Sequence, residues 1–191
     1  MAFQSGGIGH TCNEMAGIRV ARIEDAAAIA AIEVETWRTT YAGMLADATL
    51  VGLSVERKTW QWAGELRRRG SGTVWVWEDD DGALLGFGEC GRQRVPALPY
   101  EGEVAALYVL PDAQGQGIGR QLMLTMLSDL RRQGLRSALV WVLAANPSRY
   151  FYERMGGKSA LRKRIAVGGH PVEATGYGWI DIAATLRRSG T

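Results

Sequence analysis

The sequence is poor in the residues that hold metals and cross-links. Its 191 residues include two cysteines, Cys12 and Cys90, and two histidines, His10 and His170. Neither cysteine has metal-ligand spacing around it, and both are expected as free thiols rather than a structural disulfide. The histidines have no partner pattern and read as structural or exposed, so no metal is expected. No apolar run reaches the ~18 residues of a membrane span. Residues 1–17 lack the basic and apolar stretches of a signal peptide and read as a flexible leader. The formal charge is only +2, which gives no electrostatic reason to expect nucleic acid or an anionic membrane as partner. A cytoplasmic protein is the default expectation.

What is present suits one ordinary globular domain, expected over residues 18–191. The length allows a substantial core, and 47% hydrophobic with 22% charged residues is typical of such chains. Residues 18–22 read as a strand. Asp25 reads as the cap of a helix to about Thr39, with Ile29, Ile32 and Thr36 at helical spacing. Residues 40–53 read as irregular. Ser54 opens a second helix with Trp60 and Leu66 inward, and Arg67, Arg68 and Arg69 suit its negative end before Gly70. Residues 73–77 and 84–91 read as a hairpin about the turn 79–82. Residues 104–110 are almost wholly apolar, as a strand buried on both faces should be. A helix follows from about Gly117, with Ile118, Leu122, Met126 and Leu130 at i+4 spacing. Residues 138–143 form a further buried strand. Asn146 and Pro147 make a helix start, which Gly156 and Gly157 end, and two strands over 158–167 and 172–182 complete the chain. The order predicts a mixed α/β fold, one sheet with helices on both sides.

Three glycines alternate where the buried strand passes into a helix, in Gln114-Gly115-Gln116-Gly117-Ile118-Gly119-Arg120. Glycine permits positive φ and close approach of a ligand to the backbone. Helix N-terminal N–H groups, with the dipole, suit a pyrophosphate, and Arg120 adds a positive charge. The dinucleotide fingerprint requires a glycine where Arg120 stands, and a P-loop requires Gly-Lys-Ser/Thr after a four-residue gap. Both matches fail. A Gly-rich structural turn remains the alternative.

The segment resembles the signature Arg/Gln-x-x-Gly-x-Gly/Ala of the GNAT superfamily, and the Leu107-Tyr108-Val109-x-Pro111 strand end before it is typical of that family. The resemblance covers residues 18–182. It implies a mostly antiparallel sheet of six to seven strands flanked by helices, and acetyl-CoA as cosubstrate. It further implies that the turn Gln114, Gly115, Gln116, Gly117, Ile118, Gly119 and Arg120 holds the pyrophosphate, and that Leu107, Tyr108 and Val109 pair their backbone with pantetheine.

Acyl transfer to an amine needs a base for the amine, donors for the oxyanion and a proton for the departing thiolate. Tyr150-Phe151-Tyr152-Glu153-Arg154-Met155-Gly156 resembles the family's Phe-Tyr-x-x-x-Gly segment, which implies Tyr152 as general acid. Tyr150, two residues away on a helix, faces elsewhere. Glu103, before the buried strand, takes the place where family members often carry the base, with Glu101 and Glu89 as rivals. Two departures stand out. The family's cofactor-contacting asparagine precedes the tyrosine by seven residues, whereas Asn146 precedes Tyr152 by six. Gly156-Gly157 replaces the family's Gly-Phe and removes a core aromatic.

The resemblance places acceptor selectivity in the first two helices, their loop and the last two strands. Trp37, Tyr41, Met44, Trp60 and Trp62 crowd that region, as amine pocket, core or homodimer contact. The expected activity is N-acetyl transfer by direct attack in a ternary complex, to a primary amine of a small molecule or peptide. A CoA-binding sensor or structural protein without turnover is the alternative, and a nucleotide-binding module a more distant one.

Overall fold

The computed structural model describes residues 17–68, 72–95 and 97–190. The expected leader through Ala16, with His10 and Cys12, lies outside the described residues, as do Arg69, Gly70 and Pro96. A seven-stranded sheet has the order β1 (Gly17–Val20), β2 (Thr73–Glu78), β3 (Leu84–Arg92), β4 (Gly102–Val109), β5 (Ala138–Leu143), β7 (His170–Trp179), β6 (Lys158–Val167). Every neighbouring pair is antiparallel except β4 and β5. The helices are α1 (Ala26–Thr40), α2 (Asp47–Val51), α3 (Val55–Arg67), α4 (Ile118–Arg132), α5 (Arg149–Arg154) and α6 (Ile182–Arg188). None of the described helices is long and apolar enough to cross a membrane.

Strand alternation assigns the two faces. Phe87 packs its ring on Trp62 of α3, 5.1 Å between centroids, in a cluster with Ile29 and Ile32 of α1. Its neighbour Gly88 faces the other way, so close to α4 that a Cβ there would stand 2.7 Å from Met126. On that side Met123, Met126, Leu127 and Leu130 pack over Val104 and Val140. The sheet is thus enclosed by α1 and α3 on one face and α4 on the other.

The expected elements form with local differences. Ser54 caps α3 through a hydrogen bond accepted from Arg57 N at 3.2 Å. Asp25 does not cap α1 with its side chain. A 3-10 turn over Ile23–Asp25 precedes the helix, and the Asp25 carboxylate closes it by accepting from Arg22 N at 2.6 Å. The same carboxylate binds the Arg19 guanidinium at 2.7 Å, tying β1 to the helix start. Trp60 points outward, 71% exposed, against expectation. Trp62 holds the inward position, four residues before Leu66 on the buried stripe, and two residues on a helix separate opposite sides. Its Nε1 donates to the buried Glu33 Oε2 at 2.7 Å, and Lys58 Nζ binds Glu33 Oε1 at 2.6 Å.

Two helices differ from the sequence reading. α2 has only five residues within the stretch expected to be irregular. α6 begins where the last strand was expected to continue, because Asp181 turns the chain by accepting from Ala184 N at 2.9 Å. The aromatic that Gly157 removes from the core is supplied from β7. Trp179, 2% exposed, donates from Nε1 to Met155 O at 2.9 Å, and a Cβ at Gly157 would stand 2.7 Å from its ring.

The most consequential feature is the parting of β4 from β5. They pair only at Gly102↔Ala138, Glu103↔Leu139 and Val104↔Val140. On the other side of β4, Glu89 pairs with Ala106 and Cys90 with Val104, so Ala105 is an extra, bulged residue. A bulge bends its strand and sharpens the twist. Beyond it β4 follows β3 to Val109 while β5 follows β7, and a cleft opens between them.

Gly157→Ala should destabilise the fold by about 1–3 kcal/mol through overpacking against Trp179. Gly64→Ala, in the interior of α3 with open space around its Cβ, should instead stabilise by about 0.5–1 kcal/mol; urea unfolding measures both. The Arg19 hydrogen bond holds the Asp25 carboxyl below its usual range, against the opposing effect of burial. A lowered folded pKa gives stability present above the unfolded value of ~3.9 and lost as pH falls through the folded one. Asp25→Asn should therefore flatten the acid limb of a stability-versus-pH curve below about pH 4.

Candidate functional site

The cleft has a volume of about 590 Å³. One wall is β4 from Ala105 to Val109, the other Val140, Trp141 and Val142 of β5. The turn before α4 closes one end. Thr36, Thr40 and Tyr41 of α1 and its C-terminus reach in from one sheet face, and Phe151, Tyr152 and Met155 belong to the α5 segment.

The turn owes its shape to two glycines. Gly115 has φ 77° and Gly117 φ 87°, in the left-handed region where a side chain is strained, although space is open around both. Gly119 lies within the first turn of α4, 3.7 Å from Phe151 for a built Cβ. No side chain among the described residues caps α4, so its first N–H groups keep their partial positive charge. The two glutamine amides brace the turn instead: Gln114 Nε2 donates to Val109 O at 3.0 Å and Gln116 Nε2 to Asp112 O at 3.1 Å. Gln114, Gly115, Gly117, Gly119 and Arg120 line the cleft, whereas Gln116 and Ile118 do not. Ile118 is 2% exposed, packed with Val109, Ala113 and Leu122. Arg120 also donates from Nη2 to Ser189 O at 3.0 Å, satisfying a carbonyl at the end of α6.

Tyr152 lies in the cleft, 7% exposed. Its ring meets Phe151 edge-on at 5.1 Å and stacks near Tyr177 at 6.3 Å. Burial first, and the Tyr41 phenol second, push its own phenol well above the ordinary value. Tyr150 is half exposed, its hydroxyl accepting from Arg149 Nη2 at 2.7 Å outside the cleft. Asn146 is buried in the cleft wall and accepts on Oδ1 from Ser148 N at 2.8 Å, so it both shapes the start of α5 and faces the opening.

Leu107, Tyr108 and Val109 all line the cleft. The Tyr108 side chain turns toward α1, where its hydroxyl accepts from Trp37 Nε1 at 3.0 Å. Burial drives that phenol well above its ordinary range too. Trp37 meets Tyr41 edge-on at 5.0 Å. The aromatic group expected as a unit is therefore divided: Tyr41 at the cleft, Trp62 in the core, Trp60 on the surface.

The carboxylates lie apart. Glu103 pairs with Gly91 and Leu139 just before the strands part and is not among the cleft-lining residues. It shares the α1–α3 face with Glu89, whose carboxyl is pushed up by burial, opposed by Arg94, and raised further by Glu65, Glu103 and Glu33. Glu101 is occupied elsewhere, its Oε2 accepting from Arg136 N at 2.5 Å. Sequence reasoning did not single out the cleft positions of Thr36, Thr40, Ala105 and Trp141. Thr36 carried a signal as an inward helical position, while the others depend on where the bulge falls.

Comparisons with known proteins agree with this geometry. Residues 29–157 match the family model described as the acetyltransferase (GNAT) family. An uncharacterized N-acetyltransferase of Bacillus subtilis is 32% identical over 170 residues, 89% of this chain and 96% of that protein. Among solved structures, an N-acetyltransferase from Staphylococcus aureus has a TM-score of 0.67 at 24% identity, covering 87% of this chain and 98% of its own. The PaiA N-acetyltransferase of Thermoplasma acidophilum, solved with coenzyme A, has a TM-score of 0.64 at 21% identity over 84% of this chain and 97% of its own. The chain belongs to the GNAT family of acetyltransferases and is an acyltransferase.

Proposed function

We propose that this chain transfers an acetyl group from acetyl-CoA to a primary amine of a small molecule or peptide, by direct attack within a ternary complex. The observation that carries the reading is the cleft itself, which joins an uncapped helix N-terminus, an unpaired strand edge and a buried tyrosine.

The residues divide the work. The pyrophosphate meets the N–H groups of the turn from Gly115 to Arg120, with the α4 dipole and the Arg120 guanidinium behind them. Gln114, Gln116 and Ile118 serve there through backbone or bracing, since their side chains are engaged elsewhere. Past the bulge, β4 lacks its β5 partner, and its edge at Leu107, Tyr108 and Val109 offers hydrogen bonds to the pantetheine amides. The amide of Asn146 faces the same arm.

In the reaction the amine nitrogen attacks the thioester carbonyl carbon; the C–N bond forms and the C–S bond breaks. Strand N–H groups near Ala105 hold the oxyanion. Glu103 takes the amine proton through water, because its carboxylate does not line the cleft. Tyr152 gives its proton to the departing thiolate, and burial keeps that phenol protonated until then.

Acetyl-CoA should raise the melting temperature. No shift with acetyl-CoA or CoA, together with a shift by NAD or ATP, would overturn the reading. Gly117→Glu should abolish the shift, placing a bulky anion and a strained φ in the turn. Tyr152→Phe should lower kcat by on the order of 10²-fold with the acetyl-CoA shift retained; an unchanged rate removes Tyr152 from the mechanism. Because its phenol is raised, Tyr152 should impose no descending limb on the kcat profile below about pH 10.

A further inference from the structure

Thr36 is 4% exposed, lines the cleft, and its hydroxyl has no hydrogen-bond partner among the described residues. That is unusual for a helical threonine, which can bond to the carbonyl four residues back. Thr39 does so to Glu35 O at 3.0 Å, Thr59 to Val55 O at 2.9 Å and Thr185 to Asp181 O at 3.3 Å. A buried hydroxyl left unpaired is costly and calls for an explanation. Here it stands on α1, which also brings Thr40 and Tyr41 to the cleft.

The surroundings limit what it can meet. Among the described residues lining the cleft, the formal charges are Arg120 and Arg154, from the first turn of α4 and the end of α5. The α1 wall offers hydroxyls and rings: Thr36, Thr40, Tyr41, with Tyr108 beneath. That wall brings no charged side chain of its own to the cleft, so a charged tail seated on it would be buried without a direct partner of opposite sign. The tryptophan faces nearby already carry the protein's own ammonium groups. Lys163 Nζ sits 3.8 Å from the Trp141 ring centroid and Lys58 Nζ 5.9 Å from that of Trp37. A substrate cation on the Trp141 ring would meet a like charge, and at Trp37 the nearby carboxylate Glu33 is already taken by Lys58.

We propose that Thr36 is a specificity-determining residue of the acceptor subsite, and that the acceptor is a small primary amine with an uncharged hydroxyl- or phenol-bearing tail. The Thr36 hydroxyl hydrogen-bonds the tail hydroxyl, while the amine nitrogen stands toward the thioester beside Ala105. This rests on the N-acetyl transfer proposed above and adds no new bond-making step. A site built to hydrogen-bond a substrate hydroxyl discriminates against the analogue lacking it, because its own buried group is then left unpaired.

The experiment compares kcat/KM for tyramine, phenethylamine, glycine and putrescine with acetyl-CoA as donor, in the wild-type chain and in Thr36→Val, Thr36→Ser and Thr39→Val. Tyramine should exceed each of the other three by about tenfold or more. Thr36→Val should erase the preference for tyramine over phenethylamine, with the acetyl-CoA thermal shift unchanged. Thr36→Ser, which keeps the hydroxyl, should retain the preference, as should Thr39→Val. Glycine or putrescine matching tyramine would overturn the substrate class, as would no turnover of any amine by a chain that binds acetyl-CoA. An unaltered preference in Thr36→Val would overturn the role of Thr36, and a lost acetyl-CoA shift in that variant would reassign the hydroxyl to the donor. Should Thr36→Val fail to fold, loss of the preference in Thr36→Ser or its absence in the wild-type chain still decides against the proposal. No acetyl-CoA shift in the wild-type chain removes the parent reading and the acceptor assignment together.

Discussion

One extra residue in one strand governs the rest of the molecule. With Ala105 bulged, β4 can continue beside β3 yet cannot continue beside β5, and the sheet splits along a parallel seam only three residue pairs long. An unsplit sheet would pair the edge of β4 and bury it. Split, the same strand presents backbone polar groups to a cleft whose other wall is β5. The parallel connection through α4 adds a second consequence, because the helix must start at the mouth of that cleft, with its N-terminus toward it. A helix N-terminus and an open strand edge are therefore adjacent by topology before any side chain is chosen.

Charge follows the same division. Cleft-lining guanidinium groups, Arg120 and Arg154, come from the α4 and α5 segments. The carboxylates Glu33, Glu65, Glu89 and Glu103 gather beneath the α1–α3 face, where burial and mutual repulsion raise Glu89. Between them lies a region of rings and hydroxyls: Tyr41, Tyr108, Tyr152 and Thr36. Such an arrangement suits a polyanionic donor entering from one side and an amine that must surrender a proton toward the other.

Much of this was legible in the sequence for local reasons. The strand at 138–143 and that at 158–167 coincide with β5 and β6, since turn residues bound both. The glycines at 115 and 117 do adopt positive φ, a requirement that residue type alone announces. What was not legible depends on tertiary packing. Nothing in the run Glu103-Val104-Ala105-Ala106 marks which residue bulges; the partner strands decide it. Trp60 and Trp62 are equally apolar, and only the position of Glu33 and Phe87 selects Trp62 for the interior. Gly157 leaves room for an aromatic that comes from elsewhere in the chain, since Trp179 fills the space from a strand 22 residues later. Thr36 shows the limit most clearly: sequence places it inward, and only the structure shows that its hydroxyl lacks a partner among the described residues.

The central claim is that the cleft between the parted strands holds coenzyme A along the edge of β4 and across the start of α4. Backbone hydrogen exchange with and without acetyl-CoA tests it most directly, because the claim concerns N–H groups. Added protection is expected at Leu107 to Val109 and at Gly117 to Arg120, with β1 and β2 unchanged. Protection confined instead to the smaller hollow lined by Arg149, Arg162 and Tyr177, or to neither region, would contradict it.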